Sequence, residues 1–125
     1  MSQSRTENFV LGTVTIPADG SMSDAFYIEG LFLLGFVMPS GWNAADMSVQ
    51  ASMDVGIPSN WLNIFDTVGN EWVATTAASR FCLLRTDRPW LGGMRWLKLR
   101  SGVTGSPVNQ DADRIITVIC GYPNA

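Results

Sequence analysis

The clearest signal along the chain is an alternation. Met47, Val49, Ala51 and Met53 are apolar, and Ser48, Gln50, Ser52 and Asp54 lie between them. A period of two predicts a β-strand with one face buried and the other wet. The run 31–38, LFLLGFVM, is apolar at every position. It predicts a strand covered on both faces, or one that turns a face to a partner. Residues 9–16 alternate weakly and are rich in β-branched side chains, which suits a first strand. Residues 23–29 predict a shorter second one, with Phe26 and Ile28 on the same face. Further strands are predicted over 61–65, 71–76, 80–85, 94–100 and 114–120, the last three carrying basic residues at their ends or on one face. In the 94–100 strand Leu97 and Leu99 are expected to point inward.

The breaks between these runs have turn chemistry. Pro17-Ala18-Asp19-Gly20 and Pro39-Ser40-Gly41-Trp42 end strands, and residues 66–70, DTVGN, predict a hairpin loop. Residues 86–91 have room for one helical turn. About eight or nine short strands recur at the 8–12 residue spacing of sandwiches and barrels. The expected architecture is all-β: a jelly-roll-like antiparallel β-sandwich of about eight short strands, forming one domain over residues 9–125 behind a polar arm at 1–8. The long connection 101–113 suits a crossover between two sheets or a contact loop, and the two roles are compatible.

Composition narrows the function classes. The 125 residues are 46% hydrophobic and 15% charged, enough for one sizeable core and too apolar for disorder. So few charges suggest apolar surface awaiting a partner. The net charge of −3 is uneven: one arginine stands against eight acidic residues up to Ser79 (net −7), and seven basic residues stand against three acidic ones from Arg80 onward (net +4). Interleaved strands would let these charges pair within one molecule, and head-to-tail self-association or docking on an acidic protein surface is the alternative. An acidic total disfavours nucleic acid as a partner. The start, MSQSRTENFV, lacks the apolar stretch of a secretion signal, and 31–38 is too short to span a bilayer.

The chain has no histidine, which removes serine and cysteine triads of the usual kind and most zinc sites. Asp54, Asp66 and Glu71 flank turns, where carboxylates more often cap than catalyse. Asp111-Ala112-Asp113 and the 66–71 loop lack the ligand density of a calcium loop. No cofactor, metal or enzymatic activity is expected. Cys82 and Cys120 both fall within strands. Free, buried thiols are the default, and a disulfide between the strands is the alternative. Ser52-Met53-Asp54-Val55-Gly56 with Asn60-Trp61 looks like a degenerate Asp-box hairpin, in which the Asp accepts backbone N–H bonds and the Gly turns the chain. Of five tryptophans, Trp42 and Trp90 lie beside Pro or Gly in loops and are the candidates for exposure; Trp61, Trp72 and Trp96 are expected to pack. Trp42, Arg88, Trp90, Arg95, Asn109 and Gln110 are the candidate partner-binding residues.

Several segments together resemble small β-sandwich virion proteins of tailed bacteriophages, of the head decoration (cement) or fibre type. They are the apolar strand ending in Met38-Pro39-Ser40-Gly41-Trp42, residues 50–54 (QASMD), residues 75–80 (TTAASR), residues 94–102 (MRWLKLRSG) and Ser106-Pro107-Val108-Asn109-Gln110 before the final strand. The resemblance runs in order from about Ile28 to Cys120. It implies a non-enzymatic virion component, assembled in the host cytoplasm, that binds the major capsid protein or neighbouring copies of itself, with a trimer favoured. A carbohydrate- or receptor-binding module of a tail or head fibre is the alternative. Neither needs nucleic acid or membrane as a partner.

Overall fold

A computed structural model describes residues 9–84 and 91–122. Ten strands follow in chain order: β1 (Phe9–Ile16), β2 (Phe26–Tyr27), β3 (Phe32–Val37), β4 (Met47–Ser52), β5 (Leu62–Asn63), β6 (Val73–Ala74), β7 (Phe81–Leu83), β8 (Trp96–Val103), β9 (Ser106–Pro107) and β10 (Arg114–Gly121). No helix occurs among the described residues, nor any helix long and apolar enough to cross a membrane. The helical turn expected over 86–91 and the arm at 1–8 lie outside the described residues, apart from Leu91.

Two antiparallel sheets form. The first has the order β1-β10-β3-β7 and the second β2-β8-β4-β5, with β6 added to β4 and β9 to β8. The pairs β1–β10, β2–β8, β3–β7 and β4–β5 are nested hairpins, each enclosing the next in sequence. Rolling that nested ribbon brings β10 beside β3 and β8 beside β4, which is the jelly roll. The 101–113 connection is the crossover: it leaves β8 in the second sheet, turns through β9 and enters β10 in the first.

The core lies between the sheets. Val14, Ile16, Leu33, Phe36, Ile116, Val118 and Cys120 from the first sheet meet Ile28, Met47, Val49, Leu97 and Leu99 from the second, all essentially without solvent contact. Side chains alternate as the pattern predicts, and β3 is central, with β10 and β7 on either side. Gly12 faces inward, where an added Cβ would sit 2.3 Å from the Phe26 ring. That ring closes the end of the core against bare backbone. In β3 the register shifts between Ile119 and Cys120, leaving Leu34 as the extra residue of a bulge.

Two expectations need correction. The polar face of β4 is not wet throughout: Ser48 and Ser52 are buried. Ser48 Oγ donates to the Gly102 carbonyl at 2.7 Å and accepts from Arg100 at 3.1 Å, so that guanidinium roofs the strand. The second strand is also shorter than expected over 23–29. Its flanks nevertheless hold to β8, because Ser23 and Ile28 N–H donate to the carbonyls of Leu99 and Arg95. Two ion pairs join the acidic and basic parts of the chain, Glu29 with Arg95 and Glu71 with Arg100, and a third, Asp111 with Arg114, lies within the basic part.

Candidate interaction faces

A sandwich leaves two outer sheet faces, and in this molecule they differ in kind. On the first sheet the residues that alternate with the core set form rows across four strands. Leu11, Ile119, Gly35 and Leu83 make one row, and Thr13, Thr117, Val37 and Phe81 the next. Phe9 extends the face at one end and Thr15 with Ile115 at the other. None of these side chains is ionisable. Leu11, Phe81, Leu83 and Ile115 are each about 60% exposed or more, and Phe9 and Val37 add to them. Together they present on the order of 600 Å² of apolar surface, at the top of the range for a monomer's largest patch.

Alternation produces this face. With both parities of the 31–38 run apolar, and Ile115 and Ile119 set against Ile116 and Val118 in β10, burying one parity puts the other on the outer face, where Val37 and Ile115 stay exposed and Ile119 is largely covered.

The second sheet presents the opposite character. Leu97 and Leu99 point inward, as expected, so Trp96, Lys98 and Arg100 of β8 point out. Register places Tyr27, Trp96 and Ser52 in one row, and Lys98, Gln50 and Asn63 in the next. Tyr27 and Trp96 meet edge to face at 4.9 Å, and Lys98 Nζ lies 4.5 Å over the Trp61 ring. Tyr27 ionises less readily than usual, first because its surroundings are dehydrated and then through the Glu29 carboxylate. Gln50 donates to Asn63 at 3.0 Å. Trp96 Nε1 is buried without a hydrogen-bond partner. At the far end Arg100 is buried and donates to Ser48, Asn63, Thr104 and Glu71.

The residues singled out from sequence distribute unevenly over this frame. Trp42 is not an exposed platform. It is 5% exposed, belongs to the core and donates Nε1–H to the Ala45 carbonyl at 3.2 Å. The Pro39–Trp42 turn folds the ring inward over the end of the sandwich instead of holding it out. Gln110 is likewise not a surface contact. Fully buried, its Oε1 accepts from Asn43 N–H (2.8 Å) and Arg114 Nε (3.1 Å), and its Nε2 donates to Ser101 Oγ (2.8 Å) and the Asn43 carbonyl (3.2 Å). It is the pin that fastens the crossover to the 39–46 turn. Asn109 beside it is exposed. Arg95 is partly exposed, ion-paired to Glu29 and donating to the Met53 carbonyl at 2.8 Å. Arg88 and Trp90 lie outside the described residues.

The carboxylates weighed for catalysis or metal binding are occupied, by their own turns or by partners elsewhere in the fold; Asp111 accepts from Arg114 and Asp113 from Ala18 N–H. Asp54 Oδ2 accepts from Ser59 and Asn60 N–H, both at 2.8 Å, as the Asp-box likeness implies, and Gly56 turns the chain at φ 85°. Those two backbone bonds hold the Asp54 carboxyl below its ordinary pKa. Asp66 accepts from Val68 and Asn70 within its hairpin. Glu71 is held by Arg100 and Thr104. No group of three or more metal-ligating side chains comes together among the described residues.

Sequence reading did not find the apolar face as a face. Its signal was there in the double-sided run 31–38, but the register that joins Leu11, Phe81, Leu83 and Ile115 to it is a property of the fold. Comparison with protein-family models, curated proteins and solved structures returned no match.

Proposed function

We propose that this protein is a non-enzymatic structural component of a tailed-phage particle, a head decoration protein that binds and stabilises the assembled shell in many copies. The observation that carries the reading is the uncharged apolar face of the β1-β10-β3-β7 sheet, set on a rigid jelly roll. Such a surface is unfavourable in water and suits burial against protein. The resemblance of several segments to small virion proteins points the same way. Work of this kind needs no reaction, only anchors, shape and repetition. Quantitative mass spectrometry of purified particles against the major capsid protein tests the proposal. Copies in the hundreds support it, and a handful or none sinks it.

One observation favours a second reading, a carbohydrate-binding module on a fibre. The outer face of the β2-β8-β4-β5 sheet combines the aromatic rings of Trp61, Trp96 and Tyr27 with the polar groups of Lys98, Gln50 and Asn63. Sugar rings stack on aromatic faces rimmed by amide donors. A glycan panel probed with the intact protein and with Trp61→Ala separates the two readings: binding that disappears in the variant favours the module.

A further inference from the structure

We infer that the apolar face of the β1-β10-β3-β7 sheet is the contact between two copies of this chain, stacked face to face about a twofold axis. The inference rests on the reading of this face as a protein-docking surface and names its occupant.

Size is the first argument. On the order of 600 Å² of exposed apolar side chain, with the threonines and backbone between, gives well over about 1,000 Å² buried in total when two such faces meet, the scale of a specific interface. Charge is the second. Interfaces between unlike proteins are commonly steered and registered by complementary charge. This face has no ionisable group with which to choose an unlike partner, and none to repel its own copy. The rows centred on Thr13 and Thr117 place hydroxyls where a like face brings hydroxyls too.

Geometry is the third. Stacking two twisted sheets at about 10 Å is the packing that the chain already uses between its own layers. A sheet face meeting its own copy makes an isologous contact that closes at two. Association through the edges is less favoured. β7 is only three residues long, and one end of β1 is already bonded, Thr15 N–H donating to Asp24 at 2.8 Å.

The segments of this sequence outside the described residues are short and mostly polar. Residues 1–8 carry one large apolar side chain, Met1; residues 85–90 set one, Trp90, after three charges; residues 123–125 are Pro-Asn-Ala. None has the composition to cover Leu11, Leu83 and Ile115 together.

The test is the solution mass of the full chain by sedimentation equilibrium, alongside Leu83→Glu, Ile115→Lys and, on the opposite sheet, Lys98→Glu. Leu83 and Ile115 are over half exposed in the single chain, so their variants should keep the wild-type circular dichroism and thermal midpoint. Expected are a wild-type mass of twice 13.6 kDa and an unchanged dimer for Lys98→Glu. Dissociation constants should be about a hundredfold weaker or more for the two face variants, since symmetry buries each new charge twice. If Leu83→Glu fails to fold, Ile115→Lys on the neighbouring strand decides. A wild-type monomer, a trimer, or a dimer that survives both face variants overturns the inference. Copy number on particles is a separate result, so a solution monomer found in hundreds of copies on heads would leave the decoration reading standing and remove only the dimer.

Discussion

Arg100 and Glu71 meet with little water around them: Nη1 lies 3.0 Å from Oε2, with 7% and 16% of the two side chains exposed. The pair joins β8 to the strand returning from the 66–70 hairpin. Ser48, Asn63 and Thr104 accept the remaining guanidinium bonds. Removing one partner leaves a buried charge without compensation, so Glu71→Ala should cost about 3 kcal/mol in urea unfolding. The double variant Arg100→Met with Glu71→Leu should recover much of that loss, because the desolvation cost disappears with the charges. A double variant less stable than Glu71→Ala would show that the guanidinium's other bonds dominate.

Gln110 and Asn109 are neighbours in sequence and opposites in role. Gln110→Leu leaves the Asn43 N–H, the Asn43 carbonyl, Ser101 Oγ and Arg114 without their bonds, and a loss of about 2–4 kcal/mol is expected. Asn109→Ala, at an exposed position, should change stability by less than about 0.5 kcal/mol. Chemical denaturation of the two variants side by side checks both figures.

That contrast shows what was legible in the sequence. Alternation in 47–54 and in 9–16, and the turn residues between runs, carried the places of the strands, because period and turn chemistry are local; only β9, two residues inside the 101–113 connection, had no such signal. The Asp54 hairpin was legible for the same reason: acceptor, donors and turning glycine all lie within nine residues. Trp42 and Gln110 were misread because a loop side chain's fate depends on what the loop folds over. Trp42 meets the core, and Gln110 meets residues 67 and 9 positions away in sequence. The apolar face was half legible. The run 31–38 said that one strand had an unexplained apolar parity, and only the register across four strands gathered the others beside it.

Trp42 and Trp61 make a matched test of that misreading. Trp42→Ala opens a cavity in the core and should lose about 3–5 kcal/mol. Trp61→Ala removes a half-buried ring beneath Lys98 on the outer face and should lose about 1 kcal/mol or less. Thermal melts followed by near-ultraviolet circular dichroism distinguish them. A mild effect at Trp42 would mean that the 39–46 turn can lift the ring out.

Asp54 sets an acid-side dependence. Its carboxylate accepts the Ser59 and Asn60 N–H groups, and its pKa falls below the ordinary 3.8. A carboxyl whose folded pKa is depressed binds fewer protons folded than unfolded. The stability it confers is therefore present above 3.8 and is lost as pH falls from there through the lower folded value. Asp54→Asn should lower the melting temperature at neutral pH and flatten the decline below pH 4. A decline as steep as wild type would assign acid sensitivity to other carboxylates.

The two thiols test the strand order itself. Cys82 sits in β7 and Cys120 in β10, with β3 between them: Phe36 pairs with Cys82 on one side and Val118 on the other. Two strand spacings put their Cα atoms on the order of 10 Å apart, beyond the reach of a disulfide. Both are accordingly free. Burial pushes the Cys120 thiol up to about 11, so at neutral pH it stays protonated and shielded. Intact mass without reductant should show two free thiols. A thiol-specific reagent at pH 8 should label at most Cys82, the less buried of the two, in the native protein. Cys120 should react only at the rate of global unfolding, and its labelling should accelerate with urea in step with loss of tertiary structure. A native disulfide would require β7 and β10 to be neighbours, which the nested hairpins of a jelly roll do not permit, so that single mass would overturn the topology as well as the thiol assignment.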